Sequence, residues 1–301
     1  MPIDPHQLAA LASIVRCGSF EAAAAQLNVT PSAISQRIKT LEESVGTTLI
    51  YRGQPCLPTP AGVKLARHAD DVALLESHVR RDIAPTSHAA APRVRIAVNA
   101  DSLATWLVPA LSQAPDMLFE LVIDDQDTSS DWLLRGAVSA AVTGEARAVS
   151  GCNCQDLGSL RYIATASPDF MKRWFDAGIT ATTLARAPIL TFNSKDKLQH
   201  RWIAQVTEVK LTPPAHQLPS THAFIDAALA GLGWGLNPLS LVEGHLKRGT
   251  LVPVIPDAPL DVGLYWQSSR LMSAALTPLT QGIRTAALKH LVQNSHTSVM
   301  R

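Results

Sequence analysis

Apolar residues at helical spacing open the chain. Asp4-Pro5 starts a helix whose Leu8, Leu11, Ala12 and Val15 share one face up to Cys17. From Gly18 to Leu49 the pattern predicts two more helices around a tight turn. Ser19 caps the first, which runs to about Leu27 through four consecutive alanines that favour helix and allow close packing. Asn28-Val29-Thr30 makes the turn. Thr30 caps the second helix, Pro31 takes its first position and Gly46 ends it. Ala33, Ile34, Ile38, Leu41 and Val45 recur at core spacing, while Ser32, Ser35, Gln36, Arg37 and Lys39 fall largely on other faces. A helix-turn-helix lays its second helix in the DNA major groove, where such side chains reach phosphates and base edges. The competing interpretation is a helical hairpin whose polar face meets only water.

Two short extended runs around Gly53-Gln54-Pro55 then predict a small hairpin, or wing, with Arg52 and Gln54 near its tip. Thr59-Pro60 starts a long helix to about Ile83. Its apolar positions, Val63, Leu65, Ala66, Ala69, Val72, Ala73, Leu75 and Val79, make a wide face. A small N-terminal unit cannot cover that face, so a second copy of the chain is the expected partner, with a plain connector as the alternative. Ala84 to Pro92 reads as a linker.

Beyond the linker the periodicity alternates between strand and helix. Strands are expected at Val94–Val98, Leu118–Ile123, Ala137–Val142, Cys154–Leu157, Leu160–Thr165, Ile189–Phe192, Ala215–Leu218, Gly233–Leu236, Leu251–Ile255 and Val262–Gln267. Asp101-Ser102 is expected to cap a helix bent near Pro109. Such alternation means mostly parallel sheets with helices on both faces. The fold class expected is α/β, with an N-terminal winged helix-turn-helix, a long linker helix and two Rossmann-like subdomains, which the family resemblance given below implies to be effector subdomains of periplasmic-binding-protein type. The expected divisions are 1–60, 61–92 and 93–301, the last split into subdomain I (about 93–163 and 266–301) and subdomain II (about 164–265).

Composition narrows the function. With 47% hydrophobic and 17% charged residues, the chain of 301 residues is globular and long enough for two or three domains. A net charge of +1 leaves nucleic-acid binding to local patches and to a dimer that adds contacts. Cys17, Cys56, Cys152 and Cys154 form neither a disulfide framework nor a four-ligand metal set, and His200, His216 and His222 lack metal-ligand spacing. No metal and no cofactor are expected. The first strand of the α/β region leads into Asn99-Ala100-Asp101-Ser102, not a glycine-rich phosphate loop, and no nucleophile elbow appears, which argues against an enzyme. The N-terminus has no basic signal region and no apolar run is long enough for a bilayer, so a cytoplasmic, non-membrane protein is expected.

Several stretches carry a family resemblance. They are Leu11-Ala12-Ser13-Ile14-Val15, Gly18 to Ala24, Leu27 to Ile38 and Leu41-Glu42. They resemble the LysR-type transcriptional regulators, and the remaining architecture fits that family over nearly the full length. Ala97 to Trp106, Gly233-Trp234-Gly235 and Leu264-Tyr265-Trp266 further resemble its ArgP/LysG branch. The resemblance implies DNA contact by Thr30, Ser32, Ser35, Gln36, Arg37 and Lys39 of the reading helix and Arg52 of the wing. It implies a double-stranded operator with an imperfect inverted repeat, bent on binding. It also implies a homodimer through the linker helix, a homotetramer, and control of amino-acid export or metabolism genes. RNA polymerase is a further candidate partner. The wing departs from many relatives at Tyr51, where they carry phenylalanine, and at its tip.

Ligands of such sheets lie beyond the carboxyl ends of the strands, in the cleft between subdomains. The strand ends there offer Asn99, Asp101, Ser102, Asp124, Asp125 and Thr143. The facing side offers Thr165, Phe192, Asn193, Ser220 and Thr221. Hydroxyls at a helix start suit a carboxylate, and acidic groups suit an ammonium or a basic side chain. The acidic balance favours a cation, and the resemblance points to lysine or arginine; a neutral amino acid or an organic acid is the rival. Strand alternation directs only one of Asp124 and Asp125 to a given face, with Asp125 preferred. Trp106 and Trp266 are expected in the core.

Overall fold

The computed structural model describes residues 3–83, 91–125 and 129–293. Asp127, most of the Ala84–Pro92 linker and the tail after Gln293 lie outside the described residues. The N-terminal helices form where local capping dictates. The Asp4 carboxylate accepts from the backbone N–H of His6 and Gln7 at the start of α1 (Pro5–Cys17). Ser19 accepts from Ala22 N at the start of α2 (Phe20–Gln26), and Thr30 from Ala33 N at the start of α3 (Pro31–Val45). Gly46, at φ +73°, closes α3 in the left-handed region that favours glycine. Leu11, Ile14, Ile34, Ile38 and Leu41 are fully buried between these helices. Val45 is not: it is 43% exposed, because the last turn of α3 runs beyond the core that Leu41 closes.

Strands β1 (Ile50–Tyr51) and β2 (Leu57–Pro58) pair antiparallel as the wing. Thr59 then caps α4 (Pro60–Ile83): its Oγ1 accepts from Gly62 N at 3.0 Å and donates to the Thr48 carbonyl at 2.9 Å. The chain packs so closely here that a Cβ on Gly62 would run into the Leu49 carbonyl oxygen. The face of α4 is partly covered by its own chain. Ala69 packs with Leu8 and Ala12 of α1, and Leu74 joins the core of the α/β region. Two consecutive carboxylates add polar ties: Asp70 pairs with Arg16 at 3.0 Å, and Asp71 accepts from Ser139 Oγ at 3.2 Å.

The α/β region begins with β3 (Arg93–Val98), α5 (Ala100–Ser102), a π-helical turn (Leu103–Leu107), α6 (Val108–Leu111), β4 (Leu118–Ile123), α7 (Ser129–Leu134) and β5 (Ala140–Thr143). It crosses over along β6 (Cys152–Ala166). Next come α8 (Pro168–Phe175), α9 (Ala181–Arg186), β7 (Ile189–Thr191), α10 (Leu198–Thr207), β8 (Ala215–Gln217), α11 (Thr221–Leu229), β9 (Gly235–Pro238), α12 (Leu239–Arg248) and β10 (Val252–Pro253). It returns along β11 (Leu260–Ser269) to α13 (Thr277–His290). The larger sheet has the order β10-β6-β11-β5-β3-β4, with β9 also on β6. Among the described strand pairs β3–β4, β3–β5 and β7–β8 are parallel, and the rest are antiparallel. The expectation of mostly parallel sheets therefore fails in the middle. The chain leaves on β6 and comes back on β11, and a there-and-back path must be antiparallel.

Three local departures follow from side chains. The helix after β3 is capped at Asn99, not by Asp101 or Ser102, which lie in its first turn. Pro109 supplies no N–H to the turn before it, and that turn is π-helical. Helix α9 is absent from the sequence reading, although Thr180 and Thr183 form a reciprocal capping box at its start. Trp106, Trp202, Trp234 and Trp266 are fully buried, and Trp202 and Trp234 pack with ring centroids 5.1 Å apart.

Candidate functional site

The N-terminal unit presents α3 and the wing together. Ser32, Gln36 and Lys39 are exposed, and Ser35 and Arg37 are half-buried. Thr30 and Ser32 hydroxyls lie 3.0 Å apart, so the cap also orients Ser32. Lys39 shares its charge with Glu43 one turn on, at 3.9 Å. Arg52 stacks over the Phe20 ring at 5.3 Å, which holds the wing's cation against the start of α2. Ser35, Arg52 and Gln54 line one groove with Ser19 and Phe20.

A second site lies at the carboxyl ends of β3, β4 and β7. Asn99, Asp101, Asp124 and Asp125 line one side of a recess, and Phe192 and Asn193 line the other. Its free volume is about 150 Å³, and a cavity of that order admits a benzene-sized solute. Asp124 and Asp125 both reach it. Strand β4 ends at Ile123, so the alternation that would separate the two carboxylates no longer applies.

Sequence reasoning missed the residues of one loop. Lys195, Asp196 and Lys197 line the recess, as does Arg201 from α10. The signal was their place just beyond the strand β7, where ligands of such sheets sit. The loop is held in shape from within. Asn193 Oδ1 accepts from Lys195 N at 2.7 Å, and the Asp196 carboxylate accepts from Phe192 N and Leu198 N, each at 2.9 Å. Asn193 Nδ2 also reaches Asp125 Oδ2 at 3.4 Å, and Lys195 lies 3.9 Å from Asp124.

Asp101 is the hub of the site. It accepts from Thr221 Oγ1 and from Tyr162 OH, both at 2.8 Å. Burial pushes its carboxyl above the ordinary range. The hydrogen bonds from Thr221 and Tyr162 oppose that rise, and the charges of Asp196 and Asp125 add to it. Asp125 is raised in the same way, first by burial and then by Asp196 and Asp124, against Asn193 and Lys195. Four carboxylates, Asp101, Asp124, Asp125 and Asp196, thus share one recess.

The remaining candidates stand behind the recess. Ser102 is fully buried under the helix start. Thr143 accepts from Gln267 Nε2 at 3.1 Å, and Thr165 accepts from Asn237 Nδ2 at 2.9 Å. Ser220 spends its hydroxyl capping α11. None of these four lines the recess: the hydroxyls of Thr143, Thr165 and Ser220 meet neighbouring side chains or backbone, whereas Ser102 Oγ is buried with no hydrogen-bond partner among the described residues. Among the described residues no group of three or more His, Cys, Asp or Glu is placed to hold a metal ion.

Comparison with known proteins decides the family. Residues 5–63 match the bacterial regulatory helix-turn-helix protein, lysR family, and residues 87–287 match the LysR substrate binding domain. The chain belongs to the LysR family of transcriptional regulators. It is similar to the transcriptional regulator LysG of Mycobacterium tuberculosis, with 44% identity over 95% of this chain and 94% of that one. The crystal structure of ArgP from Mycobacterium tuberculosis superposes with a TM-score of 0.78 at 42% identity, covering 98% of this chain and 100% of that one. Full-length LysG from Corynebacterium glutamicum with bound effector Arg superposes with a TM-score of 0.65 at 35% identity, covering 96% and 99%. As a LysR-family regulator the protein binds DNA through its helix-turn-helix and a small-molecule effector through the following domain. Its relatives are named as regulators, not enzymes. No described helix is long and apolar enough to cross a membrane.

Proposed function

We propose that the recess binds a basic amino acid, lysine or arginine. The observation that carries this is the convergence of Asp101, Asp124, Asp125 and Asp196 on one small space. Burial first, and the neighbouring carboxylates after it, raise Asp101 and Asp125, and a cation entering there offsets both effects. The effector Arg bound to the Corynebacterium glutamicum relative supports the same ligand class. Lys195, Lys197 and Arg201 on the rim offer partners for the ligand's α-carboxylate.

In this proposal Thr30, Ser32, Ser35, Gln36, Arg37, Lys39 and Arg52 contact the operator, an imperfect inverted repeat. The protein acts in the cytoplasm as a homodimer through α4, and as a tetramer of two such pairs. Val79 and Ile83 support the dimer: they remain 53% and 79% exposed on α4. Effector binding biases the assembly between two arrangements on DNA and so controls amino-acid export or metabolism genes, with RNA polymerase as the downstream contact.

Calorimetric titration of the full-length protein tests the ligand class. Lysine and arginine are expected to bind while leucine and glutamate do not. Tighter binding of a neutral amino acid or an organic acid would instead favour the reading in which Lys195, Lys197 and Arg201 dominate recognition.

A further inference from the structure

Beside the recess lies a smaller chamber with about 20 Å³ of free space. Asp101, Phe192, Asp196 and Leu198 belong to the walls of both, so the two spaces adjoin. The wall of the smaller chamber is completed by Gln199, Asn237 and Thr221, among others.

Gln199 and Asn237 are each only 1% exposed. Their carbonyl oxygens, Oε1 and Oδ1, are buried and have no hydrogen-bond partner among the described residues. The Asn237 amide cannot simply be reversed to cure this. Its Nδ2 donates to Thr165 Oγ1 at 2.9 Å and faces the Gly235 carbonyl at 3.4 Å; the carbonyl can only accept, so reversal would set oxygen against oxygen there. Two unpartnered buried acceptors beside a carboxylate are costly unless a donor meets them.

The donor they call for is small and rich in hydrogens. A space of this size holds about one water-sized group. An alkylammonium head is a single heavy atom with three donors, whereas a guanidinium is a planar group of four heavy atoms. Phe192 and Leu198, shared by both walls, suit the aliphatic stem of a side chain whose charged tip enters the smaller chamber.

We propose that the smaller chamber is the seat of the effector's side-chain ammonium, held by Gln199 Oε1, Asn237 Oδ1 and the Asp101 carboxylate, so that the site is built for lysine more than for arginine. The α-amino-acid end stays in the larger recess, near Lys195 and Arg201. This rests on the basic-amino-acid reading proposed above and adds the position and the chemistry of the tip.

The test uses the full-length protein in isothermal titrations. In the unaltered protein, lysine is compared with arginine and with Nε-trimethyl-lysine, which keeps the charge but loses every donor and outgrows the chamber. Lysine is expected to bind, and the trimethyl compound to bind more weakly by about tenfold or more, the scale of one lost hydrogen bond to a charged group. In Gln199→Met, which keeps the volume, lysine affinity is expected to fall by a similar factor while arginine affinity stays within about threefold. Equal binding of lysine and its trimethyl form, or an equal fall for lysine and arginine in Gln199→Met, overturns the ammonium seat and leaves the basic-amino-acid reading standing. Failure of both lysine and arginine to bind the unaltered protein overturns both. The comparison of lysine with its trimethyl form needs no variant, so misfolding of Gln199→Met does not obscure it.

Discussion

Asp101, in the first turn after β3, accepts a hydrogen bond at 2.8 Å from Thr221, the first residue of α11, 120 positions further along the chain. The bond ties the helix that follows the first strand to a helix beyond the crossover. Tyr162, on the crossing strand β6, donates to the other oxygen of the same carboxylate. One side chain therefore gathers three distant segments at the back of the recess.

Removing that tie with Thr221→Val is expected to lower stability by about 1.5–3 kcal/mol, the range for a hydrogen bond to a charged group. Thermal unfolding of the ligand-free protein reads the loss. An unchanged midpoint would show that Asp101 finds an equivalent donor.

The raised carboxyls set a pH dependence. Asp101 and Asp125 bind protons more tightly folded than unfolded, each first because of burial. Their contribution to stability is complete below the ordinary carboxylate value of about 4 and is lost as pH rises through the raised values. A cationic ligand favours the ionised forms. Its affinity is expected to climb as pH rises through the raised values, with protons released on binding. Titrations in two buffers of different ionisation heat measure that release; none would argue that the carboxylates are already fully ionised.

At the DNA interface, Gln36→Ala is expected to change sequence preference, since Gln36 lies exposed on the reading helix. Arg52→Ala is expected to weaken all sequences about equally and to lower the salt slope by about one. It also removes the stack on Phe20, so wing mobility should rise. Binding isotherms at several salt concentrations on matched and mismatched operators separate the two effects.

Gly62→Ala places a methyl group against the Leu49 carbonyl where the wing meets α4. The expected cost is about 1–3 kcal/mol for the N-terminal unit. Operator affinity should fall while effector affinity, measured by calorimetry, stays unchanged. Normal operator binding would mean that the wing shifts freely.

The N-terminal unit was legible because its determinants are local. Asp4, Ser19, Thr30 and Gly46 act within a turn of where they stand, and all four cap as the sequence predicts. Val45 misled because spacing marks a face but not how far the partner helices extend. Strand β6 was read as two pieces, since Gly158 interrupts the apolar pattern while the ladder to β11 continues through a bulge. In the recess, the acidic residues after β3 and β4 were visible because strand ends announce ligand sites. Asp196 was not, because Lys195-Asp196-Lys197 looks like a solvated turn until the backbone folds it inward. The surroundings of Thr143 and Thr165 were not legible, because their partners Gln267 and Asn237 come from elsewhere in the chain.

The neighbouring carboxylates of Asp70 and Asp71 point a single helix at two different clients, Arg16 of the DNA-reading unit and Ser139 of the sensing domain. Residues adjacent on a helix sit about 100° apart around its axis. The rod between the two domains thus carries one polar tie to each of them, from carboxylates that stand side by side.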